Sequence, residues 1–109
     1  MLIVNDQVAQ LLRELKEGLE GIYGSRLRGI YLYGSRARGE AQPESDVDVL
    51  VVLEDFENYG DEIDRTGALG ADLSLKYGVT VSRVFLREAE WLDGDSPFLA
   101  NVREEAIPA

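Results

Sequence analysis

The sequence predicts a small α/β fold, in which a β-sheet carries helices over one face and leaves the other face open. Apolar residues near the N-terminus recur at helical spacing, and a central segment alternates like a strand. The patterns follow one another in the order helix, strand, strand, helix, strand, helix. With 109 residues, 45% of them apolar, the chain is expected to form one domain, 1–109, around a substantial core.

The first helix is expected to begin at Asn5-Asp6, which supplies an N-cap, and to end at Gly21 or Gly24. Its apolar residues predict one buried face: Val8, Leu11, Leu12, Leu15, Leu19 and Ile22. Residues 27–34, LRGIYLYG, are rich in branched and aromatic side chains. They predict a strand that stops at its final glycine.

The clearest strand is 46–53, DVDVLVVL. Alternate residues of a strand face opposite sides of the sheet. One side is therefore wholly apolar: Val47, Val49, Val51 and Leu53. The other side carries two acids at its entrance, followed by two apolar residues: Asp46, Asp48, Leu50 and Val52.

Residues 60–77 predict a helix that ends at Gly78, although Gly67 and Gly70 weaken it by ~1 kcal/mol each. Its inward-facing candidates are Ile63, Leu69, Leu73 and Tyr77. Residues 79–86, VTVSRVFL, predict a further strand, which a short helix follows. An N-cap followed by proline then predicts a last helix: Asp95, Ser96 and Pro97.

Composition excludes several kinds of chemistry. The chain has no cysteine and no histidine, which removes disulfides, thiolate or imidazole metal sites and imidazole bases. The net charge of −10 argues against nucleic-acid binding and favours divalent cations and basic partners, although such charge also simply keeps a small protein soluble. No segment has the ~20 apolar residues of a membrane span, and no leader is evident, so a cytoplasmic location is expected.

A Gly34-Ser35 turn closes the first predicted strand. Because Gly34 has no side chain, backbone amides there can approach a phosphate closely. Ser35 adds a hydroxyl donor, and a helix that opens at this point would aim free N–H groups at the same anion. Arg36 and Arg38 can add charge-assisted hydrogen bonds, so all four residues are candidates for nucleotide binding.

Ten residues separate Ser35 from Asp46, which opens the next strand together with Asp48. Two residues apart on a strand, they share a face with Cα atoms ~7 Å apart and can close on magnesium that bridges phosphate oxygens. Taken alone, a Gly-Ser pair is usually only a turn, and Asp-x-Asp is usually a solvated strand entrance. Their ordered combination between two strands predicts a phosphate and metal site.

This combination resembles the signature of the DNA polymerase β-type nucleotidyltransferase superfamily: Gly34-Ser35, ten residues, then Asp46-x-Asp48. The letters GSRARG resemble its minimal nucleotidyltransferase (MNT) branch. The similarity covers most of the chain and is most specific over 33–52. The resemblance implies a small mixed sheet and transfer of a nucleotide, usually AMP from ATP. It also implies that Asp46 and Asp48 are the catalytic residues and hold Mg²⁺.

The resemblance further implies a biological role. Proteins of this branch serve as antitoxins whose partner is a HEPN-domain ribonuclease toxin, and they neutralise it by adenylylation or by binding. The chain would then act in a hetero-oligomer.

One departure from the family pattern concerns the third carboxylate. Active members usually carry it on a later strand, but 79–86 contains no acid. Strand alternation makes Ser82 the best match for that position and places it on the face of Asp46 and Asp48. A serine cannot accept a proton near neutral pH, so slow or absent transfer is expected. A non-catalytic antitoxin and transfer to a small cationic substrate, such as an aminoglycoside, stay open as alternatives.

Overall fold

The computed structural model describes residues 6–42 and 45–109. The N-cap predicted at Asn5 lies outside these residues. The described elements, with a short 3-10 turn at Gly24–Arg26, are α1 (Asp6–Tyr23), β1 (Leu27–Tyr33), α2 (Ser35–Arg38), β2 (Val47–Leu53), α3 (Tyr59–Arg65), α4 (Gly67–Tyr77), β3 (Val81–Arg87), α5 (Glu88–Asp93), α6 (Pro97–Glu105) and β4 (Ile107–Pro108).

The four strands form one mixed sheet in the order β3-β2-β1-β4. Strand β1 runs antiparallel to β2 and to β4, whereas β2 and β3 run parallel. The mixed α/β fold is therefore confirmed. The sequence did not predict β4, because two residues carry no periodicity.

The larger core lies between one face of the sheet and helices α1, α3 and α4. The alternate apolar residues of β2 point into it as predicted: Val47, Val49, Val51 and Leu53. Helix α1 contributes Leu15 and Leu19, both without exposed surface, and α4 contributes Leu73. Alternation on β2 and the buried stripe of α1 thus define the same layer.

The inward face of α1 ends one residue later than predicted. Ile22 is 38% exposed, whereas Tyr23 is buried. Tyr23 can be buried because its hydroxyl donates a hydrogen bond to Glu62 Oε1 at 2.7 Å. The prediction that Ile22 belongs to the buried stripe was wrong.

The helix predicted over 60–77 is two helices that meet at Thr66. Thr66 is fully buried, and its hydroxyl donates to the Glu62 carbonyl at 2.9 Å. The guanidinium of Arg83 on β3 donates to Thr66 Oγ1 at 2.9 Å and to the Ile63 carbonyl at 3.4 Å. These contacts satisfy polar groups at the break, which corrects the prediction of one continuous helix.

The second face of the sheet is not wholly open. Trp91 of α5 and Val102 of α6 pack with Leu50 and Val52 in a smaller apolar cluster. The two β2 residues are apolar on a face that would otherwise meet water, so covering them removes that surface from solvent. Helices α5 and α6 therefore cover part of the face that the sequence predicted to be open.

Candidate active site

The candidate site begins with a row of three residues across the sheet. Asp48 on β2 is aligned with Tyr33 on β1 and with Ser82 on β3. Arg83, the next residue of β3, points instead to Thr66 under the helices. The predicted position of Ser82, on the same face as Asp48, is therefore confirmed.

The Gly34 turn lies directly against Asp48. Gly34 has φ +77° and ψ −157°, and a Cβ built on it would overlap the Asp48 carboxylate. Only glycine adopts this backbone readily, and only glycine leaves room for the acid. The Gly34 carbonyl accepts from the amides of Ala37 and Arg38, both at 3.1 Å, which turns the chain into α2.

Arg36 holds the segment that leads into the two acids. Its side chain is buried, and its Nε and Nη2 donate to the Ser45 carbonyl at 3.1 and 2.7 Å. Ser45 directly precedes Asp46, so this contact fixes the approach to the acids. The contribution of Arg36 to phosphate binding stays a prediction beside this structural role.

Arg38 lies at the exposed side of the turn. It forms ion pairs with Glu40 and with Glu105, each at 2.8 Å. Glu105 also accepts a hydrogen bond from the Gly34 amide at 3.2 Å. Sequence reasoning did not identify Glu105, because it lies 71 residues from Gly34 and belongs to no motif.

The electrostatics of the row disfavour negative charge on Asp48 and Tyr33. Burial raises the pKa of the Asp48 carboxyl, and the neighbouring charge of Asp46 raises it further, while Arg38 and Arg36 oppose the shift. Burial and the charge of Asp48 likewise raise the pKa of the Tyr33 phenol. A cation beside Asp48 would relieve both effects.

The acids suit magnesium when part of its coordination comes from a ligand. Asp46 lies one residue before β2 and is exposed, while Asp48 is half-buried. Over 6–42 and 45–109, no group of three or more acids is placed to hold a metal. Magnesium in nucleotide sites usually takes one or two carboxylates and completes its shell with phosphates and water, so these two oxygen donors fit it.

Among the described residues, no helix combines the length and apolar character needed to cross a membrane.

Comparison with known proteins places the whole fold in one family. The nucleotidyltransferase domain model matches residues 11–108, and the chain belongs to this family. A relative from Methanocaldococcus jannaschii, "Putative protein adenylyltransferase MJ0604", is 34% identical over 101 residues, which span 86% of this chain and 89% of the relative.

Solved structures share the fold. The "putative minimal nucleotidyltransferase" is 25% identical, with a TM-score of 0.58, and the match covers 96% of this chain and 97% of that one. A crystal structure of a mutant of the toxin–antitoxin MntA-HpeT gives 20% identity and a TM-score of 0.58 over 93% of this chain and 69% of that one. A toxin–antitoxin crystal structure with AMP-PNP gives 20% identity and a TM-score of 0.53 over 94% and 69%.

Proposed function

We propose that this chain binds ATP together with magnesium and transfers AMP to a hydroxyl group of a protein partner. One observation carries the proposal: the Gly34 turn, which suits a phosphate, packs directly against Asp48, which suits a metal. Both halves of a nucleotide site therefore meet at one point. The name of the 34%-identical relative and the AMP-PNP in a structure of the same fold support the choice of nucleotide.

The Gly34-Ser35 turn binds the triphosphate in this proposal. The backbone amide of Gly34 donates to the phosphate oxygens, and the Ser35 hydroxyl donates a further hydrogen bond. Arg38 contributes its guanidinium from the exposed side. Arg36 holds the segment that carries the acids and adds positive charge near Asp48.

Asp46 and Asp48 hold the magnesium. When bound, the ion neutralises charge on the phosphates and on the departing pyrophosphate. In the transfer, the acceptor oxygen bonds to the α-phosphorus, and the bond from that phosphorus to the bridging oxygen of pyrophosphate breaks. The proton of the acceptor hydroxyl has to pass to a base.

The position expected for that base holds a serine, and this favours a second candidate function. Ser82 lies beside Asp48 in the register where a third carboxylate would help to deprotonate the acceptor. A serine hydroxyl does not take that proton near neutral pH. The second candidate is therefore an antitoxin that binds its partner without modifying it.

The proposed partner is a toxin, and the family resemblance implies a HEPN-domain ribonuclease. The MntA-HpeT structure of the same fold supports a toxin–antitoxin pair. A net charge of −10 suits a basic partner surface.

A transfer assay tests this proposal. The candidate partner is the product of the gene next to the one that encodes this chain. The two proteins are mixed with magnesium and with ATP labelled on its α-phosphate, and the label on the partner is counted. Asp48→Asn is the control, since it keeps the side-chain shape and removes the charge. We expect slow labelling that the control abolishes. Labelling that is equal in both proteins would contradict the proposed site.

A further inference from the structure

Glu105, the last residue of α6, already engages two of the donors that the proposed site offers to phosphate. Its Oε1 accepts from the Gly34 amide at 3.2 Å, and its Oε2 accepts from Arg38 Nη1 at 2.8 Å. One carboxylate thus joins the turn to the arginine. The two donors are 4 residues apart in the chain and converge on a single anion.

A triphosphate and the Glu105 carboxylate exclude one another at these donors. The Gly34 amide has one hydrogen to donate, and it forms one well-directed hydrogen bond at a time. Two anions at this distance also repel each other. A nucleotide that takes the Gly34 amide therefore has to displace Glu105.

Glu105 is placed so that it can leave without disturbing the core. Its side chain is 21% exposed, and it ends α6. Val102, one turn earlier, is buried in the apolar cluster under α6 and keeps the helix in place. Rotation of the Glu105 side chain into water breaks two contacts and buries no charge.

We propose that Glu105 is an internal competitor for the nucleotide phosphates, which closes the Gly34-Arg38 anion site until a triphosphate displaces it. This inference rests on the proposed function, because it assumes that the triphosphate binds at the same turn. It makes the affinity for ATP a balance between two anions, and α6 becomes a determinant of that affinity.

The test is the dissociation constant for ATP with magnesium, measured by calorimetry on the whole chain. Glu105→Gln removes the charge and keeps the shape, and Glu105→Ala removes the hydrogen-bond acceptor as well. Both variants should bind about fivefold more tightly than the parent, because a larger fraction of the molecules is competent to bind. Inorganic triphosphate with magnesium should show the same order of affinities.

Two variants serve as matched controls. Glu104→Gln makes the same change of charge at the exposed neighbouring residue, which within the described residues forms no hydrogen bond or ion pair with Gly34 or Arg38. Glu40→Gln removes the other partner of Arg38 and leaves the Gly34 contact intact. Both controls should tighten binding less than Glu105→Gln does.

The outcomes separate this inference from the proposed function. A parent that binds ATP, with Glu105 variants of equal or weaker affinity, overturns the competition and leaves the proposed function standing. Equal gains in Glu104→Gln and Glu105→Gln also overturn it, because net charge alone then explains the effect. If neither the parent nor any variant binds ATP or triphosphate, the proposed function fails and the competition fails with it.

Discussion

Gly34 and Asp48 show how closely single residues constrain this site. The positive φ of Gly34 and the position of the Asp48 carboxylate each exclude a side chain at residue 34. The same absence of a side chain exposes the backbone amide to an anion, which in this structure is Glu105. A glycine that the sequence marks as a turn therefore serves conformation, packing and binding together.

Replacing Gly34 with alanine should abolish nucleotide binding and lower the free energy of unfolding. Alanine is strained at the φ of +77° that Gly34 adopts, and its methyl group would displace the Asp48 carboxylate. Together these effects should lower the free energy of unfolding by about 1–3 kcal/mol. Urea denaturation and calorimetry with ATP measure the two effects. The control is Gly21→Ala, since Gly21 lies in α1 with open space around it. This variant should raise the free energy of unfolding by about 0.5–1 kcal/mol. A Gly34→Ala protein with parental affinity would show that the phosphates bind elsewhere.

A carboxylate at position 82 should restore the missing proton acceptor. Ser82 is aligned with Asp48 on the neighbouring strand, so Ser82→Asp brings a third acid to the row. We expect faster transfer of AMP to the partner, by about 10²-fold if deprotonation limits the reaction. Labelled ATP measures the rate in both proteins.

The control for this substitution is Ser25→Asp, which makes the same chemical change at an exposed residue in the turn before β1, at the end of that strand opposite to Tyr33. An unchanged rate in Ser82→Asp, with the fold intact, would mean that another group already takes the proton. Vigorous transfer by the parent itself would show that two acids suffice.

At the scale of elements, the sequence predicts what depends on local periodicity. The apolar stripe of α1 and the alternation of β2 locate the sheet and its larger core. The break between α3 and α4 has no such signal, since it depends on Arg83 reaching Thr66 from another element. The two glycines in this segment indicated low helix stability, but they did not predict where the helix breaks. A long-range hydrogen bond determines the position of the break, and no local sequence pattern predicts such a bond.

The hydrogen bond from Arg83 of β3 to Thr66 at the helix break contributes measurably to the free energy of unfolding. Thr66→Val keeps the shape of the side chain but removes the acceptor for Arg83 Nε. The guanidinium loses a hydrogen bond in a partly buried position, so the free energy of unfolding should fall by about 1–3 kcal/mol. Thr80→Val makes the same chemical change at an exposed residue and should stay within about 0.5 kcal/mol of the parent. Equal free energies of unfolding in the two variants would contradict a stabilising role of Thr66 at the break.

At the scale of the whole molecule, the chain folds back so that its C-terminal helix reaches the turn after β1. The motif of Gly34, Ser35, Asp46 and Asp48 could be predicted from the sequence because its spacing is local. Glu105 could not, since only the packing of α6 on the second face brings it to Gly34. The strongly acidic surface belongs to this scale too, because it favours a basic partner.

Co-expression tests the proposed partnership. The product of the neighbouring gene should co-purify with this chain, and the complex should survive moderate salt if apolar contacts add to the charge attraction. Growth of cells that produce the partner should recover when this chain is also produced. Absence of both the complex and the recovery would contradict an antitoxin role.

The central claim is that the two strand acids and the Gly34 turn form one magnesium-dependent ATP site. Calorimetry of ATP binding to the parent, and to the double variant Asp46→Asn with Asp48→Asn, tests it most directly. The account predicts binding that needs magnesium in the parent and is lost in the double variant, with circular dichroism unchanged. ATP binding of parental affinity in the double variant would contradict it.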